Sequence, residues 1–187
     1  MVKNGADRDQ LINAIQNLNE EQMESLLYYA DVLNRASRFK NGYHGIILRE
    51  FINPQFRVID SRIVEARMPV RWELNNIQGV LHGGTIATFI DIAMGRSLRL
   101  LYPGNYTTQL TIGMDIHYLG TGKGKEIYAN IELLQFGRNV CVLECKIYNE
   151  VNKLITIATG TFKIHNAVLN EKNLSYDALI KKAKEEG

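Results

Sequence analysis

The sequence predicts an α+β domain in which one antiparallel sheet packs on a single buried helix. Three observations predict it. From Phe56 to Ile164, short runs of alternating apolar and polar residues are separated by turn residues, the period of half-buried strands joined as sheet neighbours. In their midst, Gly84 to Tyr102 keeps helical spacing and is apolar over most of its circumference, so it must be buried. The chain has 187 residues, 45% of them hydrophobic, enough to build one core without disulfide staples.

The elements follow in chain order. Residues 7–40 read as helix, with Leu11, Ile15 and Leu18 at helical spacing and then Met23, Leu26, Leu27, Ala30 and Leu33 after a break. Asn19 is a natural N-cap, with Glu20 and Glu21 in the first turn and Gln22 at the capping-box position. The stretch from Gly42 to Gly45 closes this region. A short β run, Phe56 to Asp60, leads through a turn into Arg62 to Leu74. Leu110, Ile112, Met114, Ile116 and Tyr118 alternate with polar partners over nine residues and are expected to share one face of a strand. Three further runs follow, through Ile127–Leu133, Cys141–Ile147 and Leu154–Ile164. A short C-terminal helix is expected over 175–186, capped by Ser175. The domain organisation is therefore a helical extension at 1–43, the α+β domain at 44–166 and a tail at 167–187.

Composition narrows the function. The formal charge of +2 gives no dense basic surface, which argues against nucleic-acid and acidic-membrane partners. The N-terminus is polar and lacks a signal-peptide core, and no stretch is long and apolar enough to span a bilayer. Cys141 and Cys145 lie four apart in a strand, about 13 Å, so they cannot pair with each other and are expected as buried thiols. These features point to a cytoplasmic protein. The four histidines show no metal-ligand spacing, and there is neither H-E-x-x-H nor a nucleophile elbow. The glycines from Gly120 to Gly124 precede a strand rather than a helix, so they read as a hairpin turn. No metal or nucleotide cofactor is indicated.

The informative stretch runs Asn76-Ile77-Gln78-Gly79-Val80-Leu81-His82-Gly83-Gly84 and opens the buried helix, which carries Asp91. Paired glycines at this junction let a ligand approach the backbone closely. The first-turn amides lack helical partners and sit at the positive end of the dipole, so they can hold an oxyanion. Asn76 adds a side-chain donor. Asp91, a carboxylate in an otherwise apolar helix, is a candidate base. Each residue also has a structural explanation: tight helix packing for Gly83 and Gly84, an ion pair with an arginine such as Arg96 for Asp91, a satisfied buried histidine for His82.

Taken together, N-x-x-G-x-x-H-G-G and an aspartate eight residues after Gly83 resemble the hotdog-fold acyl-CoA thioesterases, in the branch named for phenylacetic-acid degradation. The resemblance extends through Thr111 to Leu119, Gly137-Arg138, and Lys153 to Thr161, covering about residues 44–166. It implies hydrolysis of a CoA thioester. The Gly83 amide, helped by Asn76, would polarise the carbonyl. Asp91 would activate water or attack directly, and Thr111 would orient the water. His82 would position the thioester, and Gly84 would lie against the substrate. The loop after Tyr118 lacks the proline common in the family. Lys123, Lys125 and Arg138, all in turns, are candidates to meet the CoA phosphates.

Spacing adds a constraint. Gly83 and Asp91 are eight residues apart, roughly 12 Å along a helix, whereas an oxyanion donor and a base must each lie within about 3 Å of the reacting atoms. Two chains with antiparallel central helices would satisfy both, so a homodimer with composite sites is expected. The family resemblance implies the same, often with pairing to a homotetramer. The competing expectation is a non-catalytic acyl-CoA sensor with a DNA-binding extension. Residues 1–40 oppose it: five basic residues face six acidic ones, the wrong balance for a DNA reader.

Overall fold

Helical spacing at the start of the chain and strict alternation after it separate into two units, divided between Phe51 and Ile52. The computed structural model describes residues 5–37, 45–104 and 108–165. The expected boundary at 43/44 and the C-terminal helix within 167–187 lie outside the described residues.

The first unit holds α1 (Gly5–Gln16), α2 (Glu20–Ser37) and most of α3 (Gly45–Ile52). Asn19 begins α2 as expected: its Oδ1 accepts from the Gln22 amide at 2.8 Å, and the Gln22 side chain accepts from the Asn19 amide at 3.0 Å. Two otherwise orphaned donors are thereby satisfied reciprocally. The face of α2 that packs is not the aliphatic stripe read from the sequence. Ser25 and Val32 are its buried residues, and Tyr28 sets its ring edge-on to Phe51 and donates its hydroxyl to the Phe51 carbonyl at 2.9 Å. Leu27 and Leu33 of the expected stripe stay exposed. An aromatic ring buries more area than either leucine and carries a hydrogen-bonding tip, so Tyr28 selects the face.

The second unit is the sheet and its helix. β1 (Gln55–Val58), β2 (Ile63–Pro69), β3 (Thr108–Tyr118), β4 (Glu126–Phe136), β5 (Val140–Asn149) and β6 (Leu154–His165) form one sheet in the order β1-β2-β4-β5-β6-β3, every neighbour antiparallel. The α+β architecture is as expected. The run through Leu74 is shorter as a strand than its alternation implied: it ends at Pro69 and is followed by a 3₁₀ turn, Trp72–Leu74.

The helix α4 (Gly83–Leu101) lies against the inner face, touching β2 to β6. Its Phe89, Ile90, Met94 and Leu98 are fully buried, as are Met68, Ile131, Leu143 and Phe162 of the sheet. Each such side chain contributes about 1.5–3 kcal/mol of transfer free energy. Ser97, also fully buried, donates to the Ala93 carbonyl at 2.8 Å, so the core holds no unpaired hydroxyl there. At Gly160 a Cβ would meet the Met94 sulfur at 2.4 Å; glycine lets helix and sheet approach at that point. Cys141 and Cys145 are buried on the inner face and unpaired.

β3 departs from the expected alternation. A bulge between Thr111 and Gly113 shifts its register against β6. Beyond the bulge Met114, Ile116 and Tyr118 stand opposite Gly160, Ala158 and Thr156, whereas before it Thr111 stands opposite Phe162. Those β6 partners are all buried toward α4. One extra residue flips strand parity. Thr111 therefore joins Tyr118 on the helix face, and Leu110 leaves it.

Candidate active site

The segment that opens α4 is built by its own polar side chains. Asn76 Oδ1 accepts from the amides of Gln78 at 2.9 Å and Val80 at 3.4 Å, and Asn75 bridges to Leu81 across the turn. An asparagine folding its own turn is a standard use of that side chain, and it commits the Asn76 oxygen, leaving Nδ2 as the group able to donate to a ligand. The turn returns the chain to His82, whose amide donates to the Leu74 carbonyl at 2.9 Å.

His82 is the N-cap of α4, with extended backbone angles, and its Nδ1 accepts from the Gly84 amide at 2.9 Å. A neutral imidazole that accepts at Nδ1 carries its proton on Nε2. Gly84 therefore spends its amide on the cap. The Gly83 amide has no acceptor among the described residues, as the first turn of a helix requires. The Gly83 carbonyl accepts from the Tyr118 hydroxyl at 2.8 Å. The same ring lies beside the Gly83 Cα, where a Cβ would come within 3.4 Å of it.

Two turns further along α4, half-buried Asp91 accepts at Oδ1 from the Thr111 hydroxyl at 2.6 Å, the short distance of a charge-assisted bond. Among the described residues Asp91 makes no ion pair, so the alternative of pairing with Arg96 is not realised there. β3 is thus fastened to α4 twice, at Asp91 by Thr111 and at Gly83 by Tyr118. The bulge is what puts both on the same face of the strand.

The structure brings Asn76, His82, Gly83 and Gly84 together at one end of α4. Asp91 and Thr111 form a second cluster eight residues along the helix, about 12 Å at 1.5 Å per residue. Lys123 and Lys125 are exposed in the loop from β3 to β4, which meets the first cluster because the Leu81 amide donates to the Gly122 carbonyl at 2.9 Å. Arg138 is not near them. It follows Gly137 in the turn from β4 to β5, beyond Phe136, which stacks on Tyr102 at the far end of α4. Tyr118 is the residue that the sequence reading passed over as one more apolar strand position. Gly113, a glycine inside a strand, was the available signal of a bulge.

Two cavities among the described residues lie elsewhere. One of about 480 Å³ and one of about 420 Å³ open on the outer sheet face, both bordered by Tyr128 and Glu65, and neither is lined by a residue of the two clusters. Burial pushes the thiol of Cys141 up to about 11 and that of Cys145 up to about 12, so neither supplies a thiolate nucleophile at neutral pH. Among the described residues no group of three or more His, Cys, Asp or Glu could hold a metal ion, and no helix is long and apolar enough to cross a membrane.

An antiparallel sheet wrapped on one long helix, with a glycine-opened N-terminus, is the architecture of the hotdog fold, and residues 78–156 match the thioesterase superfamily. The medium/long-chain acyl-CoA thioesterase YigI of Escherichia coli is 30% identical over 106 residues, 48% of this chain. The match spans 66% of the E. coli protein, just under two thirds of its length. A putative esterase of Archaeoglobus fulgidus is 28% identical over 114 residues, covering 57% of this chain and 71% of that one. Among solved structures, a Bacillus halodurans protein crystallised with CoA superposes with a TM-score of 0.71 at 25% identity, covering 83% of this chain and 98% of that one. A Haemophilus influenzae thioesterase superposes at 0.57 with 22% identity, covering 64% and 82%, a likeness of fold.

Proposed function

We propose that this protein is an acyl-CoA thioesterase, hydrolysing a CoA thioester to a free acid and CoA. The observation that carries the reading is the pair of clusters on α4: a helix start with the Gly83 amide unspent, and a carboxylate, Asp91, held by Thr111. The first is chemistry for a developing oxyanion and the second is chemistry for activating water. The activity of the E. coli relative and the CoA bound by the B. halodurans protein support the same substrate class.

In this reading the thioester carbonyl oxygen accepts from the Gly83 amide, helped by Asn76 Nδ2. Asp91 takes a proton from water as the water oxygen attacks the carbonyl carbon. The Thr111 hydroxyl fixes one carboxylate oxygen so that the other faces the water. Collapse of the tetrahedral intermediate breaks the C–S bond, and His82 Nε2–H stands at the leaving sulfur. A carboxylate 12 Å along the same helix cannot reach that carbonyl, so the water is activated by the partner's Asp91. The working unit is a homodimer with two composite sites, and β3, an apolar strand left exposed at the sheet edge, is the surface for pairing. Lys123 and Lys125, beside the first cluster, are placed to meet CoA phosphates.

Thiol release measured across acyl-CoAs of increasing chain length tests the proposal. Turnover by the wild type that is abolished in Asp91→Asn is the expected result. Binding of acyl-CoA without any turnover would make the protein a sensor instead.

A further inference from the structure

Tyr118 belongs to neither cluster as the reaction defines them, yet it makes the most specific side-chain contact with the first. Its hydroxyl donates to the Gly83 carbonyl at 2.8 Å, and its ring lies against the Gly83 Cα. That carbonyl and the Gly84 amide belong to one peptide unit, and the Gly84 amide donates to His82 Nδ1 at 2.9 Å. The unit is therefore gripped at both ends, by a phenol on its oxygen and by an imidazole on its nitrogen. Hydrogen bonds in series polarise one another: a donor on the carbonyl makes the attached N–H a better donor to His82.

We infer that Tyr118 is a positioning residue that acts through the Gly83–Gly84 peptide to hold His82 in its Nε2–H tautomer, while its ring, packed against the Gly83 Cα, restrains the backbone that presents the Gly83 amide. This rests on the thioesterase reading for its consequence, but not for its geometry. The relay has three links, each between described atoms: the Tyr118 hydroxyl to the Gly83 carbonyl, the peptide to the Gly84 amide, and that amide to His82 Nδ1. At its outer end, in the thioesterase reading, the Nε2–H of His82 serves the leaving sulfur. Because Tyr118 lies on β3, the edge strand, the relay also ties the alignment of the oxyanion site to the strand at which two subunits would meet.

Tyr118→Phe keeps the ring against Gly83 and removes the hydroxyl. Two readings of this variant test the inference. The first is nitrogen NMR of His82 in the full-length protein, without substrate. The wild type should show the Nε2–H tautomer, and Tyr118→Phe should show a mixture of tautomers. The second is hydrolysis of decanoyl-CoA. In Tyr118→Phe kcat should fall about tenfold, the rate equivalent of one hydrogen bond, with KM changed less than twofold. Combining it with His82→Ala should cost no more than His82→Ala alone. An Nδ1–H tautomer in the wild type would overturn the inference without any variant. So would unchanged tautomer and kcat in a folded Tyr118→Phe protein. If the wild type hydrolyses no acyl-CoA, the proposed function fails, and the tautomer measurement still decides the relay.

Discussion

β5 and β3 are neighbours of the same strand, β6, and they are built on opposite terms. β5 alternates buried and partly exposed residues along its length, with Cys141, Leu143, Cys145 and Ile147 fully sealed under α4. β3 carries its own apolar row but lies at the edge, and Leu110, Ile112, Met114 and Tyr118 all remain exposed. A long apolar edge strand is a liability in an isolated chain unless something pairs with it. The difference teaches that stability and chemistry are housed separately. β5 is complete within one chain, whereas β3 carries Thr111 and Tyr118 to the helix and leaves its outer edge unpaired among the described residues, the edge that the proposed dimer would cover.

That division is broken first at Asp91. Asp91→Asn preserves the shape of the side chain and an acceptor for Thr111, so kcat should fall about 10²–10⁴-fold, the usual worth of a general base, while the melting temperature moves little. The converse change belongs to β5. Leu143→Ala should cost about 2–5 kcal/mol in urea unfolding, with kcat per folded molecule unchanged. A loss of kcat in a fully folded Leu143→Ala protein would mean that the two functions are not separate.

Ile112→Lys places a charge on the exposed bulge of β3. Light scattering should then report a mass near the 21.3 kDa monomer, and activity should fall with the mass. A dimeric Ile112→Lys protein would move the interface off this strand. Thr111→Ala should reduce kcat about tenfold by removing one hydrogen bond to the carboxylate, and Thr111→Ser should restore most of it. Recovery by serine separates the hydroxyl from the packing of the methyl group.

The smallest effect expected is alkaline. Both thiols titrate higher in the fold than their ordinary value of 9.0, Cys141 at about 11 and Cys145 at about 12, because burial disfavours the thiolate. Above pH 9 the unfolded chain therefore releases protons that the folded chain keeps. Stability should be unaffected by these groups below pH 9 and should decline as pH rises beyond it. Urea midpoints at pH 8 and pH 10 measure this, and replacing both cysteines with alanine should flatten the difference.

How much of this was legible in the sequence depended on whether a signal was local. The capping box at Asn19 and Gln22, the buried helix and the strand periods of β4 and β5 are local patterns, and each is found where the residues placed it. The first cluster was legible for the same reason, since Asn76 to Gly84 is one continuous segment whose turn is folded by its own side chains. The bulge in β3 was not, because strict alternation from Leu110 to Tyr118 reads as an unbroken strand until the register against β6 is known. With parity wrong before the bulge, Thr111 was placed on the face away from Asp91; Tyr118 kept its face but read as one more apolar position, because its bond to Gly83 joins residues 35 apart in the chain. The face of α2 was missed because burial there is decided by Phe51, more than twenty residues from Tyr28. The separation of Arg138 from Lys123 and Lys125 was legible, since the eleven residues of β4 lie between them and put the two turns at opposite ends of one strand.

Subunit mixing tests the central claim, that each active site takes Asp91 from one subunit and the helix start from the other. Asp91→Asn and His82→Ala proteins, each nearly inactive alone, are unfolded together and refolded at equal concentrations. Statistical pairing makes about half of the dimers mixed, each with one intact composite site of two, so activity should recover to about a quarter of the wild type. If Asp91 served the helix start of its own chain, every site in a mixed dimer would carry one defect. Activity would then stay at the average of the two variants.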